Sequence, residues 1–168
     1  MDGPGAVRIA LDQNFPTPII DCIAPFIPDV AFDHVQKIDP RLCQLDDWQL
    51  IVALHRRGYR ALASNDYHMI DEARVASAAA QTKTSLILIE SLGDDPIRAT
   101  GALLLDVAWI AKRLPPRKSA IYRIRRNNPR PMMIREVLEE RAEHMGISVD
   151  ELRGREQLTR AELDDPLV

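Results

Sequence analysis

Only two cysteines occur in the 168 residues, Cys22 and Cys43, and they form no Cys-x-x-Cys pair. Two ordinary thiols in a reducing cytoplasm are the expectation. The histidines, His34, His55, His68 and His144, show neither a His-Glu-x-x-His pair nor Cys/His zinc spacing, which removes the common zinc chemistries. No apolar run approaches the roughly 20 residues needed to cross a bilayer. The opening Met1-Asp2-Gly3-Pro4-Gly5 has neither a basic nor an apolar region, so no signal peptide is expected. Aromatic residues are sparse at 5%, and only Tyr122 interleaves with the main cation cluster, which argues against a single-strand stacking surface there. There is no internal repeat and no low-complexity tract.

What remains, 46% hydrophobic and 28% charged residues, is the composition of an ordinary globular protein, long enough for one domain with an appendage. The net charge of −3 is unevenly spread. Residues 1–112 carry ten Lys/Arg against fifteen Asp/Glu, and residues 136–168 carry four against ten. Between them, residues 113–135 hold eight cations and no acid. Such a block suits a nucleic acid or an acidic partner, and equally a solvated linker facing the acidic flanks of its own chain.

Val7-Arg8-Ile9-Ala10-Leu11 is a short apolar run that ends at Asp12, with Pro16 opening a helix that ends before Pro25 or Pro28. Residues 29–35 alternate as a second strand, and Lys37 to Leu45 reads as a loop around Asp39-Pro40. A helix follows from Asp46-Asp47, acidic at entry, cationic in its last turn and stopped by Gly58. Tyr59 to Ala63 is a third strand, 67–81 an alanine-rich helix, and Ser85 to Ile89 the clearest strand. Asp95-Pro96 starts a long amphipathic helix to about Arg113. Beyond Pro115-Pro116, Ala120 to Ile124 is a further strand candidate, and a helix runs to Gly146 with another turn or two from Ser148. The alternation predicts an α/β domain over 1–114, with a central parallel sheet of about four strands flanked by helices. A basic linker and helical extension occupy 115–168.

Asp12, Asp66 and Glu90 each follow a strand, which places them on one edge of that sheet, where open α/β sheets bind ligands. Asp47 starts a helix facing the same edge. Carboxylates gathered within a few ångströms need a cation or proton, and Mg²⁺ or Mn²⁺ suits an all-oxygen site with room for a phosphate. On spacing alone, Asp47 serves equally well as a helix cap and Asp66 as a turn residue.

Three blocks, Leu11-Asp12-Gln13-Asn14-Phe15-Pro16, Asp47-Trp48-Gln49-Leu50-Ile51 and Ala63-Ser64-Asn65-Asp66-Tyr67, resemble the signature blocks of PIN-like proteins. The branch in question opens with Leu-Asp-Glu-Asn-Leu-Pro. The resemblance spans about residues 7–112 and implies a PIN-like three-layer fold. It also implies a metal-dependent endoribonuclease similar to VapC-type toxins, in which Asp12, Asp47 and Asp66 hold Mg²⁺ or Mn²⁺ and act catalytically. It further implies RNA as substrate, a cognate antitoxin as partner and a homodimer. Two positions depart from the family pattern: Gln13 stands where Glu is frequent, and His68 where a further acid is common. Both lower the site's negative charge, and they favour the alternative of a catalytically inactive PIN-like module that binds RNA or a partner protein.

Asn14, His68 and Glu90 are candidates for the edge of the site. Arg117, Lys118, Arg123, Arg125, Arg126 and Arg130 are candidates for holding an RNA backbone or an acidic antitoxin segment. Trp48 and Trp109, at helical positions, read as core rather than base-stacking platforms. Asp12-Gln13-Asn14 also loosely resembles the Asp-x-Asp opening of haloacid dehalogenase-type phosphatases, but its second acid is Asn14 and no later lysine-plus-acid pair accompanies it.

Overall fold

The computed structural model describes residues 5–92, 95–125 and 134–156. Its centre is an all-parallel sheet of β1 (Val7–Leu11), β2 (Val30–His34), β3 (Ala61–Ser64), β4 (Ser85–Glu90) and β5 (Ile121–Arg125). The spatial order is β2-β1-β3-β4-β5. Five strands pair rather than four, because β5 lies parallel to β4, with Leu86 opposite Ile121 and Glu90 opposite Arg125. Residues 121–125, assigned from sequence to the basic extension, therefore belong to the sheet. Contacts divide the chain into Met1–Arg126 and Asn127–Val168.

A parallel sheet is covered on both faces, so its interior strands are apolar on both sides. All six residues of β4 are buried. Alternate residues serve opposite cores. Ile9, Leu11, Ala61, Ala63, Ile87 and Ile89 pack with helices α1 (Thr17–Ile23) and α5 (Pro96–Ala111) through Ile20, Leu103 and Val107. Ala10, Leu62, Leu86 and Leu88 pack with α3 (Asp47–Arg56) and α4 (Ala73–Thr82) through Ile51, Leu54, Val75 and Ala79. The result is a three-layer α/β arrangement.

Two segments differ from their sequence expectations for local reasons. The 37–45 region is not an open loop. It holds a short helix, α2 (Val35–Ile38), and a 3-10 turn, Pro40–Gln44, because His34 and Asp39 accept from the Gln36 and Arg41 amides and cap each in turn. The expected helix over 67–81 is split into a 3-10 turn, Tyr67–Asp71, and α4, since Asp66 caps the first piece. The second unit contains α6 (Ile134–Met145) and α7 (Val149–Arg155), the latter capped by Ser148. Among the described residues no helix is long and apolar enough to cross a membrane.

The topology matters for ligand binding. β1 has β2 on one side and β3 on the other, so the winding direction reverses between β1 and β3. The carboxyl ends of adjacent parallel strands then lead their connections apart and leave a crevice, the usual ligand position in such sheets.

Candidate active site

Asp12 and Ser64 stand at that reversal point, at the carboxyl ends of β1 and β3. The Asp12 amide donates to Ala63 O at 3.0 Å, which carries the β1–β3 ladder one residue past the strand. The chain then turns, Phe15 N–H donating to Asp12 O at 3.1 Å, and buried Phe15 anchors the turn in the core. Gln13 and Asn14 are left exposed on its outside.

The Asp12 carboxylate is fixed from two directions. Oδ1 accepts from the Gln13 amide at 2.7 Å, and Oδ2 accepts from the Ser64 hydroxyl at 2.8 Å. Ser64 Oγ in turn accepts from the Asp66 amide at 3.0 Å. One buried hydroxyl therefore ties the first acid to the backbone of the third. Asp66 is exposed, and its Oδ1 accepts from the His68 amide at 3.1 Å. Asp66 thus does act as a turn cap, with its second oxygen remaining as an acceptor. The exposed ring of His68 pairs with Asp71 at 3.1 Å.

Asp47 reaches the same region from α3. Capping of that helix falls to its neighbour: Asp46 is the N-cap in a capping box, and Gln49 Oε1 accepts from the Asp46 amide at 3.1 Å. Asp47 is therefore the first helical residue and not the cap. It is half-buried, and its pKa is raised above the ordinary carboxylate value. Burial is the largest cause, followed by the charges of Asp66 and Asp12, then Glu72 and Asp46. Acids from three separated segments thus act on one another electrostatically.

Among the described residues, no group of three or more His, Cys, Asp or Glu side chains is arranged to hold a metal ion. That geometry does not make a closed protein cage. Mg²⁺ and Mn²⁺ take hard oxygen donors and are often held by only one or two protein carboxylates. The donors present, Asp12, Asp47 and Asp66 with the Ser64 hydroxyl, are all hard oxygens.

Glu90 has a different role. It lies at the carboxyl end of β4, only 6% exposed, and both its oxygens accept from arginines of β5, Oε1 from Arg123 Nε and Oε2 from Arg125 Nε. Hydrogen bonding from Arg125, reinforced by Arg123, holds its pKa below the ordinary value. Its charge is spent within the sheet edge, so it is no free ligand for an ion. Arg123 and Arg125 balance one acid with two cations and leave an excess positive charge at this edge. Arg117 and Lys118 are exposed in the segment before β5. Arg126 and Arg130 lie outside the described residues.

Sequence reasoning passed over Ser64 as a site residue, although a hydroxyl ending a buried strand two residues before an acid was a usable signal. It also misjudged Trp109, which is 54% exposed on α5 with the Arg113 guanidinium 4.1 Å from its ring centroid. A helical position indicates only that some face is buried. Compared with family models, curated proteins and solved structures, the chain matches none.

Proposed function

We propose that this chain is a PIN-like, Mg²⁺/Mn²⁺-dependent endoribonuclease that hydrolyses RNA phosphodiesters at the carboxyl edge between β1 and β3. The observation that supports this is geometric: one Ser64 hydroxyl links the Asp12 carboxylate to the Asp66 amide at the β1–β3 edge, and Asp47, its pKa raised by burial first and then by the charges of Asp66 and Asp12, lies within their reach. Mutual repulsion of this kind is relieved by a cation.

When bound, the ion supplies positive charge against the scissile phosphate and acidifies water. The chain's own residues do the rest. Ser64 and the Gln13 amide hold the Asp12 carboxylate in one orientation, and the His68 amide holds one oxygen of Asp66. Asp47, at the start of α3, closes the acidic set. Arg117 and Lys118, with the excess charge of the Arg123–Glu90–Arg125 cluster, attract the RNA backbone. The proposed biological setting is the toxin half of a toxin–antitoxin pair, whose acidic antitoxin segment competes with RNA for the same cations. That setting and a homodimer come from the resemblance of the three sequence blocks.

The test is RNA cleavage by purified protein with Mn²⁺. Wild type cleaves and Asp12→Asn loses at least two orders of magnitude; unchanged cleavage in the variant rules the proposal out. A second reading, a silent module that binds RNA or a partner protein, is favoured by Gln13, His68 and the lack of a ready-made three-ligand group among the described residues. Calorimetry separates the two, since Mn²⁺ binding that requires Asp66 belongs only to the enzyme.

A further inference from the structure

We propose that the groove between α3 and α4 is a nucleobase subsite, so that the RNA of the proposed reaction enters as a single strand with one base seated beside the carboxylates. The groove has a volume of about 460 Å³, within the roughly 300–1,000 Å³ of small-ligand clefts. At its rim the Arg74 guanidinium lies over the Trp48 ring, 3.9 Å from the centroid. Trp48 is half-buried and packed against the core under α3 and α4, so its ring and the guanidinium over it form one stacked surface. Ser77, Gln81 and His55 bring hydrogen-bonding groups, and Gln81 is held by Ser77 at 3.0 Å.

Three features favour a base over other occupants. Indole and guanidinium planes are the surfaces on which unpaired bases stack. The lining residues include Arg74 and no acid, which suits a polyanion. Position is the third: Trp48 directly follows Asp47, and Arg74 lies two residues after Glu72, whose charge also reaches Asp47. The Trp48 end of the groove is therefore one residue along α3 from Asp47. The inference rests on the ribonuclease reading for its substrate class, but base binding needs no cleavage.

The experiment is therefore run in EDTA. In a Trp109→Phe background Trp48 is the sole indole, and its fluorescence reports the groove. A short single-stranded RNA is expected to quench it. An abasic strand of equal length is expected to bind about 5- to 150-fold more weakly without quenching, as for loss of one stacked base. Arg74→Ala, at an exposed position, weakens the base-bearing strand by about fivefold or more and the abasic strand by a smaller factor, the loss of one phosphate-attracting charge. Equal binding of the two strands, quenching by an acidic peptide alone, or an unaltered Arg74→Ala overturns the subsite. If base-dependent quenching persists while no Mn²⁺-dependent cleavage is found, the ribonuclease reading falls alone. If cleavage requires Asp12 but no base-dependent quenching is seen, the subsite falls alone.

Discussion

At the scale of the residue, Asp47 carries a folding penalty created by its burial and, after that, by its acidic neighbours. Its pKa in the fold lies above the ordinary 3.8, raised by burial and then by Asp66 and Asp12. Below both values the group is protonated in either state and contributes no difference. As pH rises past 3.8 the unfolded chain releases its proton more readily than the fold, and stability declines until the folded group has also ionised. Asp47→Asn removes that decline. In EDTA the variant is expected to melt like wild type at pH 3.5 and above it at pH 7, while losing cation binding. A variant less stable at pH 7 contradicts the electrostatic account. Ser64 shows the opposite balance. Its buried hydroxyl serves both Asp12 and the Asp66 amide, so Ser64→Ala leaves these groups short of a partner and is expected to cost about 1–3 kcal/mol in denaturant unfolding.

At the scale of the element, β5 shows how a sheet edge is held by charge. Its residues Arg123 and Arg125 face one way and close on Glu90 of β4, while Ile124 turns to the core. The Glu90 pKa is depressed, so the stabilisation is complete above the ordinary 4.5 and is lost as pH falls through the lower folded value. Glu90→Gln should remove that acid-range loss and release the strand. Faster amide hydrogen exchange across Ile121–Arg125 at neutral pH is the readout, and unchanged protection argues that backbone pairing alone holds β5. This element also shows where sequence reading runs out. β1, β4 and α5 were legible because buried runs, a capping aspartate and Pro96 are local signals. β5 was legible as a strand candidate over Ala120 to Ile124, but its place in the sheet was not, because pairing with β4 is a contact between segments some 35 residues apart. The split of 67–81 was missed because alanine-rich sequence favours helix throughout, whereas the Asp66 cap sets a 3-10 turn first.

At the scale of the whole molecule, the candidate site draws on β1, α3 and β3, whose positions are fixed by the alternating packing of a five-stranded sheet. That Asp12 and Asp66 follow neighbouring parallel strands was legible, since strand-ending aspartates in a β-α-β-α pattern fall on one edge by topology. Their separation and the Ser64 link were not, because both depend on side-chain rotation. Every residue proposed to hold the ion lies within Met1–Arg126, which forms a contact unit separate from Asn127–Val168. Ligand binding to the folded state alone adds about 2.7 kcal/mol at a hundredfold excess over Kd, which for a chain of this size raises Tm by roughly 5–10 °C. The full chain and a 1–126 fragment are both expected to show that rise with Mn²⁺, and Asp12→Asn and Asp66→Asn to lose it in either form. A rise that survives in both variants places the ion elsewhere. A rise confined to the full chain means that residues 1–126 do not bind the ion by themselves.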